Sequence, residues 1–292
     1  MEVVLLGLSD GDLDPERYRA SFKTNKLGGK PDWMLPEPSR QAPRCARCGA
    51  PLAHVVQVYC PVHICPPHHR TLHLFACTAP QEEAVGEMHV SLGLQDLTLG
   101  DDVPEENVPE LRSFFISVVE ESELFGEEDE LHHAQKLLRE YERREGVSAG
   151  EMEEEDGGGG EEKYEKTKAR HGDAVFSRFM KKISLCPQQI LRYSRRGKPL
   201  FISQPPENMQ VPKCGSCGGE RTFEMQLMPA LVSLLRGRKR RREEKDEEEE
   251  VEVEFGTVLV FTCNNSCWTE ESGSTVEEIC FVQPDPDQKL FK

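Results

Sequence analysis

Cys214-Gly-Ser-Cys217-Gly-Gly-Glu-Arg221-Thr-Phe-Glu-Met-Gln-Leu-Met228 decides the fold, together with its partner stretch Gly256-Thr-Val-Leu-Val-Phe-Thr-Cys263-Asn-Asn-Ser-Cys267. Each stretch joins a strand-length run rich in β-branched and aromatic residues to a close pair of cysteines. The glycines after Cys217 let the chain turn so that knuckle amides can face the sulfurs. Two such pairs at strand ends supply the four thiolates of a tetrahedral structural zinc site, where binding the metal contributes folding free energy directly. Cys214, Cys217, Cys263 and Cys267 are therefore the first candidate zinc ligands. A thioredoxin-type redox pair fits less well, because a strand rather than a helix follows Cys217.

The same design occurs earlier in the chain. Cys45-Ala-Arg-Cys48-Gly-Ala-Pro-Leu opens a second knuckle, followed by His54-Val-Val-Gln-Val-Tyr-Cys60 and Arg70-Thr-Leu-His-Leu-Phe-Ala-Cys77. Gln57 lies twelve residues after Cys45 and Gln226 twelve after Cys214, each with a proline soon after, at Pro61 and Pro229. Leu72-His-Leu-Phe-Ala-Cys77 matches Val258-Leu-Val-Phe-Thr-Cys263. This self-similarity reads as two copies of one β-rich zinc-ribbon unit. The first copy offers only three clear ligands, Cys45, Cys48 and Cys77. Its fourth is Cys60, Cys65, His68, His69 or His89, or is missing. An open position on zinc is also a mark of catalytic sites. No H-E-x-x-H or H-x-E…P-C-x-x-C pattern accompanies it, so a structural site is expected and not an enzyme.

Composition bounds the class. The chain has 292 residues, 37% hydrophobic and 30% charged, and carries eleven cysteines. Met-Glu-Val-Val-Leu-Leu-Gly-Leu is too short and too acidic for a secretory signal, and no run reaches the roughly 18 apolar residues of a membrane span. A reducing compartment with metal-ligated cysteines is the expectation. Residues 120–162 hold 17 acidic and 4 basic side chains, so −13 of the net charge of −17 lies in one segment. Such a segment repels nucleic acid and attracts a basic protein.

The rest of the chain reads as connections. Val3 to Leu8 is a short strand, and Lys26-Leu-Gly-Gly-Lys-Pro-Asp-Trp33 a turn-rich loop with Trp33 as its packed anchor. Val90, Leu94, Leu97 and Leu99 have the spacing of a leucine-rich nuclear export motif, flanked by acidic residues. Leu111 to Val119 is a core strand. Residues 171–193 show helical periodicity through Val175, Phe176, Phe179, Ile183, Ile190 and Leu191, with Pro187 as a breaker. Arg195, Arg196 and Lys198 form a basic turn. Arg236 to Arg242 is strongly basic and Glu243 to Glu254 acidic, a charged loop between strands that fits a nuclear import signal, a nucleic-acid patch or a solvated zwitterion. Trp268 is expected to cap the second knuckle by packing, and Glu277 to Gln283 to form the last strand. The expected fold class is mainly β (α+β): two pseudo-repeated zinc-ribbon-like units form one split domain, joined by an acidic, partly helical linker. The expected boundaries are 1–119 for the first unit, 120–170 for the linker and 171–292 for the second unit, with the charged loop at 236–254.

Several pieces together resemble the programmed cell death protein 2 family, in its 2-like branch. They are Lys26-Leu-Gly-Gly-Lys-Pro-Asp-Trp33, Cys45-x2-Cys48-Gly-x-Pro-Leu, Gln57-Val-Tyr, His69-Arg-Thr-Leu-His-Leu-Phe-Ala-Cys77, Tyr193-x6-Leu200 and Gly256-Thr-Val-Leu-Val-Phe-Thr-Cys263. No MYND-type cysteine/histidine finger separates the halves, as fits the 2-like branch. The resemblance implies a chaperone or adaptor of small ribosomal subunit assembly. It would capture a newly made ribosomal protein of the mRNA-entry channel, accompany pre-small-subunit particles, engage a nuclear export receptor through the leucine motif, and shuttle between cytoplasm and nucleus. The family usually has a further cysteine pair after Cys77, which this chain lacks. A zinc-ribbon nucleic-acid binder using Arg236 to Arg242 is the alternative, and direct RNA binding stays open.

Overall fold

The computed structural model describes residues 3–34, 42–62, 68–79, 108–124, 174–206, 209–235, 237–238, 250–251, 253–267 and 275–286. The export-like motif, Cys65, His89, Trp268, most of the acidic linker and most of the charged loop lie outside these residues.

Among the described residues, nine strands make one antiparallel sheet. In chain order they are β1 (Leu5–Asp12), β2 (Lys26–Leu27), β3 (Ala53–Tyr59), β4 (Thr71–Ala76), β5 (Phe114–Glu120), β6 (Leu191–Tyr193), β7 (Arg221–Leu227), β10 (Thr257–Cys263) and β11 (Ile279–Gln283). Their order across the sheet is β11-β10-β7-β6-β1-β5-β2-β3-β4. The two short strands between β7 and β10, β8 (Gly237–Arg238) and β9 (Glu250–Val251), pair only with each other, so the charged loop rises from a small ladder of its own. A helix α1 (Ala174–Ile183) buries Phe179 against Ile202 and Met228. It ends with Lys181 and Lys182 in its last turn, where cations suit the helix dipole. The helical periodicity read through to Leu191 therefore spans two elements: the chain turns around Pro187, and Leu191 opens β6.

The sheet curls on itself. Arg70, beside the edge strand β4, bonds to Glu224 on β7 although five strands lie between β4 and β7 in the ladder. One core accordingly draws on both halves of the chain: Val56, Val58 and Leu74 share it with Met225, Leu227, Val258 and Val260. On the other side of β10, Leu259 and Phe261 pack with Phe223 in a second cluster. β10 is thus covered on both faces, which explains its unbroken apolar sequence.

Two bulges set which side chains enter that core. β3 pairs His54 with Phe75 and then Val56 with Leu74, leaving Val55 as the extra residue. β7 pairs Phe223 with Phe261 and then Met225 with Val260, leaving Glu224 extra. An inserted residue shifts the two-residue alternation, so Phe223 and Met225 face opposite sides although they are two apart. Val55 and Glu224 each lie ten residues after the first cysteine of their knuckle. The bulge carbonyls also behave alike: Val55 accepts a hydrogen bond from the Gly28 amide and Glu224 one from the Ser194 amide, both at 2.9 Å.

Candidate metal centres

Both knuckles are built by the same turn. The amide of Cys45 donates to Ala50 O and that of Gly49 to Cys45 O, each at 2.8 Å. In the second knuckle Cys214 donates to Gly219 O and Gly218 to Cys214 O, again at 2.8 Å. Gly49 and Gly218 both need the left-handed region, with φ of 71° and 68°. This is the physical role of the glycine after each C-x2-C.

The turn of the second knuckle brings Cys214 and Cys217 to the end of β10, where Cys263 and Cys267 sit. All four sulfurs lie within 4.8 Å of one another. Cys214 Sγ is 3.4 Å from Cys267 Sγ, and Cys217 Sγ is 3.6 Å from Cys263 Sγ. Four thiolates at about 2.3 Å from a tetrahedral zinc stand roughly 3.8 Å apart, so this donor set fits such an ion with little adjustment. The first set, Cys45, Cys48 and Cys77, is equally close, with 3.6 Å between Cys48 and Cys77. Both clusters could hold a metal ion.

One thiol in each set is shifted below its ordinary pKa. Burial pushes Cys214 up, but the amides of Cys217 and Ser216 and the neighbouring thiols outweigh it and bring the pKa down to about 7. Cys45 lies below its ordinary value for the same reasons. Burial and the neighbouring thiols push Cys267 well up, and burial takes Cys77 up to about 11. A cation replaces those protons, so metal loading should release them and tighten as pH rises.

The structure separates three of the fourth-ligand candidates from the first set. Cys45, Cys48 and Cys77 cluster at the end of the hairpin where Ala53 pairs with Ala76, whereas Cys60, His68 and His69 lie beyond the opposite end, where Tyr59 pairs with Thr71. Those ends are about 20 Å apart for strands of this length. Cys60 is buried there, and its thiol is pushed up to about 12 by that burial. His69 Nδ1 is 2.6 Å from the Tyr59 hydroxyl. Among the described residues the first set has three ligands.

Sequence reasoning missed the side chains that brace the second knuckle. Arg221 donates to Pro212 O and Lys213 O on the first cysteine arm, and its Nε reaches Glu278 Oε2 at 3.0 Å. Glu278 Oε1 accepts the Cys263 amide at 2.9 Å, tying in the second arm. Arg195, read from sequence as part of a basic turn, is largely turned inward. Its Nη2 donates to Cys263 O, Asn264 O and the Ser266 hydroxyl. Glu224 was also missed, although a carboxylate between Phe223 and Met225 in a strand of the core is a signal in itself.

A curled, mainly β protein with paired cysteine knuckles at two strand ends is the class defined by this fold. Its N-terminal residues 3–98 match the model described as Programmed cell death protein 2, N-terminal domain, and residues 173–284 match Programmed cell death protein 2, C-terminal putative domain. Programmed cell death protein 2-like of Gallus gallus is 38% identical, over 93% of this chain and 92% of the relative. The Homo sapiens protein of the same name is 35% identical, over 100% of this chain and 99% of the relative. The chain belongs to the programmed cell death protein 2 family and resembles its 2-like members. A Schizosaccharomyces pombe protein named Probable 20S rRNA accumulation protein 4 is 35% identical over 118 residues, 36% of this chain and 26% of that protein. No solved structure matches the chain.

Proposed function

We propose that this protein is a non-catalytic chaperone or adaptor in ribosome biogenesis, which binds a newly made, basic protein of the small ribosomal subunit and accompanies it into pre-small-subunit particles. The observation that carries the reading is family membership that includes a relative whose name concerns the accumulation of 20S rRNA. The chain's own chemistry agrees with it. Net charge is −17, with −13 of it in residues 120–162, which favours a basic client, speeds its capture and makes that capture salt-sensitive. The two cysteine sets take zinc as structural metal and hold the ribbon ends rather than activating a water. The halves are two copies of one unit, divided as 1–119 and 171–292 around the linker 120–170. The matched knuckle turns and the bulges at the same offset support that division. Val90, Leu94, Leu97 and Leu99 would recruit a nuclear export receptor, giving a protein that shuttles between nucleus and cytoplasm.

A tagged pull-down from ribosome-bearing cells, with zinc quantified on the same sample, tests this reading. One ribosomal protein enriched stoichiometrically, resistant to RNase and displaced by salt, is the expected result. Recovery of RNA, or of many ribosomal proteins only when RNase is omitted, would instead favour a zinc-ribbon nucleic-acid binder. Absence of ribosomal material would overturn the proposal.

A further inference from the structure

Glu224 is a fully buried carboxylate in the middle of β7, at the bulge, where no metal ligand needs it. Its Oε1 accepts from Arg70 of the first half and from the Tyr193 hydroxyl, the latter at 2.9 Å. Its Oε2 accepts from the Thr262 hydroxyl and lies 3.7 Å from Arg195 Nε. That Nε is itself buried without a hydrogen-bond partner, so the nearby carboxylate is what compensates its charge.

Two of these four side chains belong to the second knuckle or are held by it. Thr262 immediately precedes Cys263. Arg195 is fixed by three bonds to the same arm: 3.3 Å to Cys263 O, 3.1 Å to Asn264 O and 2.7 Å to the Ser266 hydroxyl. The other half of the chain reaches Glu224 through Arg70, whose Nε also donates to Cys60 O at 3.3 Å. A buried carboxylate with all its partners in place is well compensated, whereas one that loses two of four turns toward water.

We propose that Glu224 is a latch between the two halves of the chain, set by the metal state of the four-cysteine knuckle. With metal bound, the arm Cys263–Cys267 is fixed, Thr262 and Arg195 orient the carboxylate, and Arg70 closes the curled sheet. When the metal leaves, the arm loosens, the carboxylate loses two partners, and the end of the β3–β4 hairpin around Cys60 and Arg70 opens. Among the described residues the first knuckle has no such connection, and the corresponding bulge residue is Val55.

Coupling of this kind is reciprocal, which gives the test. Arg70→Met should weaken zinc binding at the four-cysteine set by about tenfold, within the usual range of coupling between sites. The affinity is read by competition with a chromophoric chelator in a Cys48→Ser background, where only the second set is complete. Unchanged affinity would overturn the latch. Hydrogen exchange on the wild-type chain keeps the proposal open to refutation should these variants fail to fold. Limited chelation should expose the amides of Cys60, Val62 and His68 while those paired between β1 and β5 stay protected. Continued protection at Cys60 and Val62 would overturn it, as would loss of protection throughout the sheet, which would make the knuckle a global brace.

Discussion

The two halves of this chain share a knuckle turn and a bulge ten residues after its first cysteine, and they differ in the chemistry at the corresponding positions. Nine residues after the first knuckle cysteine stand His54 and Phe223, and two residues before Cys77 and Cys263 stand Phe75 and Phe261. In the first half His54 packs on His73 and Phe75, and its Nδ1 faces Gly28 O and Gly29 O at 3.1 and 3.2 Å. In the second half Phe223, Phe261 and Phe281 make a purely apolar cluster of edge-on rings. Polarity is distributed the other way at the bulges, with Val55 in the first half and Glu224 in the second. What both halves keep is backbone bookkeeping by a buried glutamine. Gln57 donates to Ser21 O and Thr24 O and accepts from the Asp32 amide, while Gln226 donates to Leu200 O and accepts from the Leu200 amide. At these two positions the backbone contacts are alike while the neighbouring side chains differ.

The largest difference between the halves should appear at the metal sets. Cys217→Ser should remove one metal ion per chain and destabilise by more than about 5 kcal/mol, since structural zinc binding is folding free energy. Cys48→Ser should cost clearly less, because its set has three ligands among the described residues. Metal stoichiometry with thermal unfolding measures both, and equal losses would erase the distinction.

Next come the bulges. Glu224→Ala leaves Arg70 and Arg195 without their buried counter-charge and should cost about 3–5 kcal/mol. Val55→Ala, at the matching position, should cost about 2 kcal/mol from lost burial and a small cavity. Denaturant titration of both variants would show whether charge or packing dominates there.

The third contrast is acid sensitivity. Burial lowers the pKa of His54 to about 4, with Lys26 adding to the effect and the Gly28 carbonyl opposing it. Above its unfolded value of 6.5 the ring is neutral in both states, and its contribution is fully present. As pH falls toward 4 the unfolded chain takes up a proton that the fold refuses, so about 3 kcal/mol of stability is lost across that window. His54→Phe, which copies the second half, should flatten the pH dependence between 6.5 and 5. A slope unchanged by the substitution would place the acid sensitivity elsewhere.

The last contrast is between two glycines, and the change at Gly49 is the smallest effect expected. Gly28 has φ of 56°, and an added Cβ would lie 2.1 Å from Arg112 O, so Gly28→Ala should cost about 2–3 kcal/mol. Gly49 has φ of 71° with open space around it, and Gly49→Ala should cost about 1 kcal/mol, the backbone strain alone.

Much of this was legible in the residues. Spacing places the cysteines at strand ends, because a C-x2-C turn needs its glycine and the following run has strand length and composition. The strands from Leu5, Ala53, Thr71, Phe114, Arg221, Thr257 and Ile279 all carry local signals of that kind. Other features left weaker traces. Leu191–Tyr193 is only three residues long and reads as the tail of a helix until β1 and β7 pair on either side of it. Bulges are equally hidden, since one extra residue changes no composition yet inverts which face each later side chain occupies.

The sequence by itself determined the cysteine pairs, the β-rich character, the concentration of acidity in one segment and the likeness between the halves, because these depend on neighbours a few residues apart. Only the tertiary structure decided that the sheet curls until Arg70 meets Glu224 across 154 positions, and that Arg195 turns inward to the second knuckle. It also moved Cys60, His68 and His69 away from the first set. Those outcomes depend on which distant groups can compensate a charge or a thiol removed from water, and burial of that kind exists only once the sheet has closed.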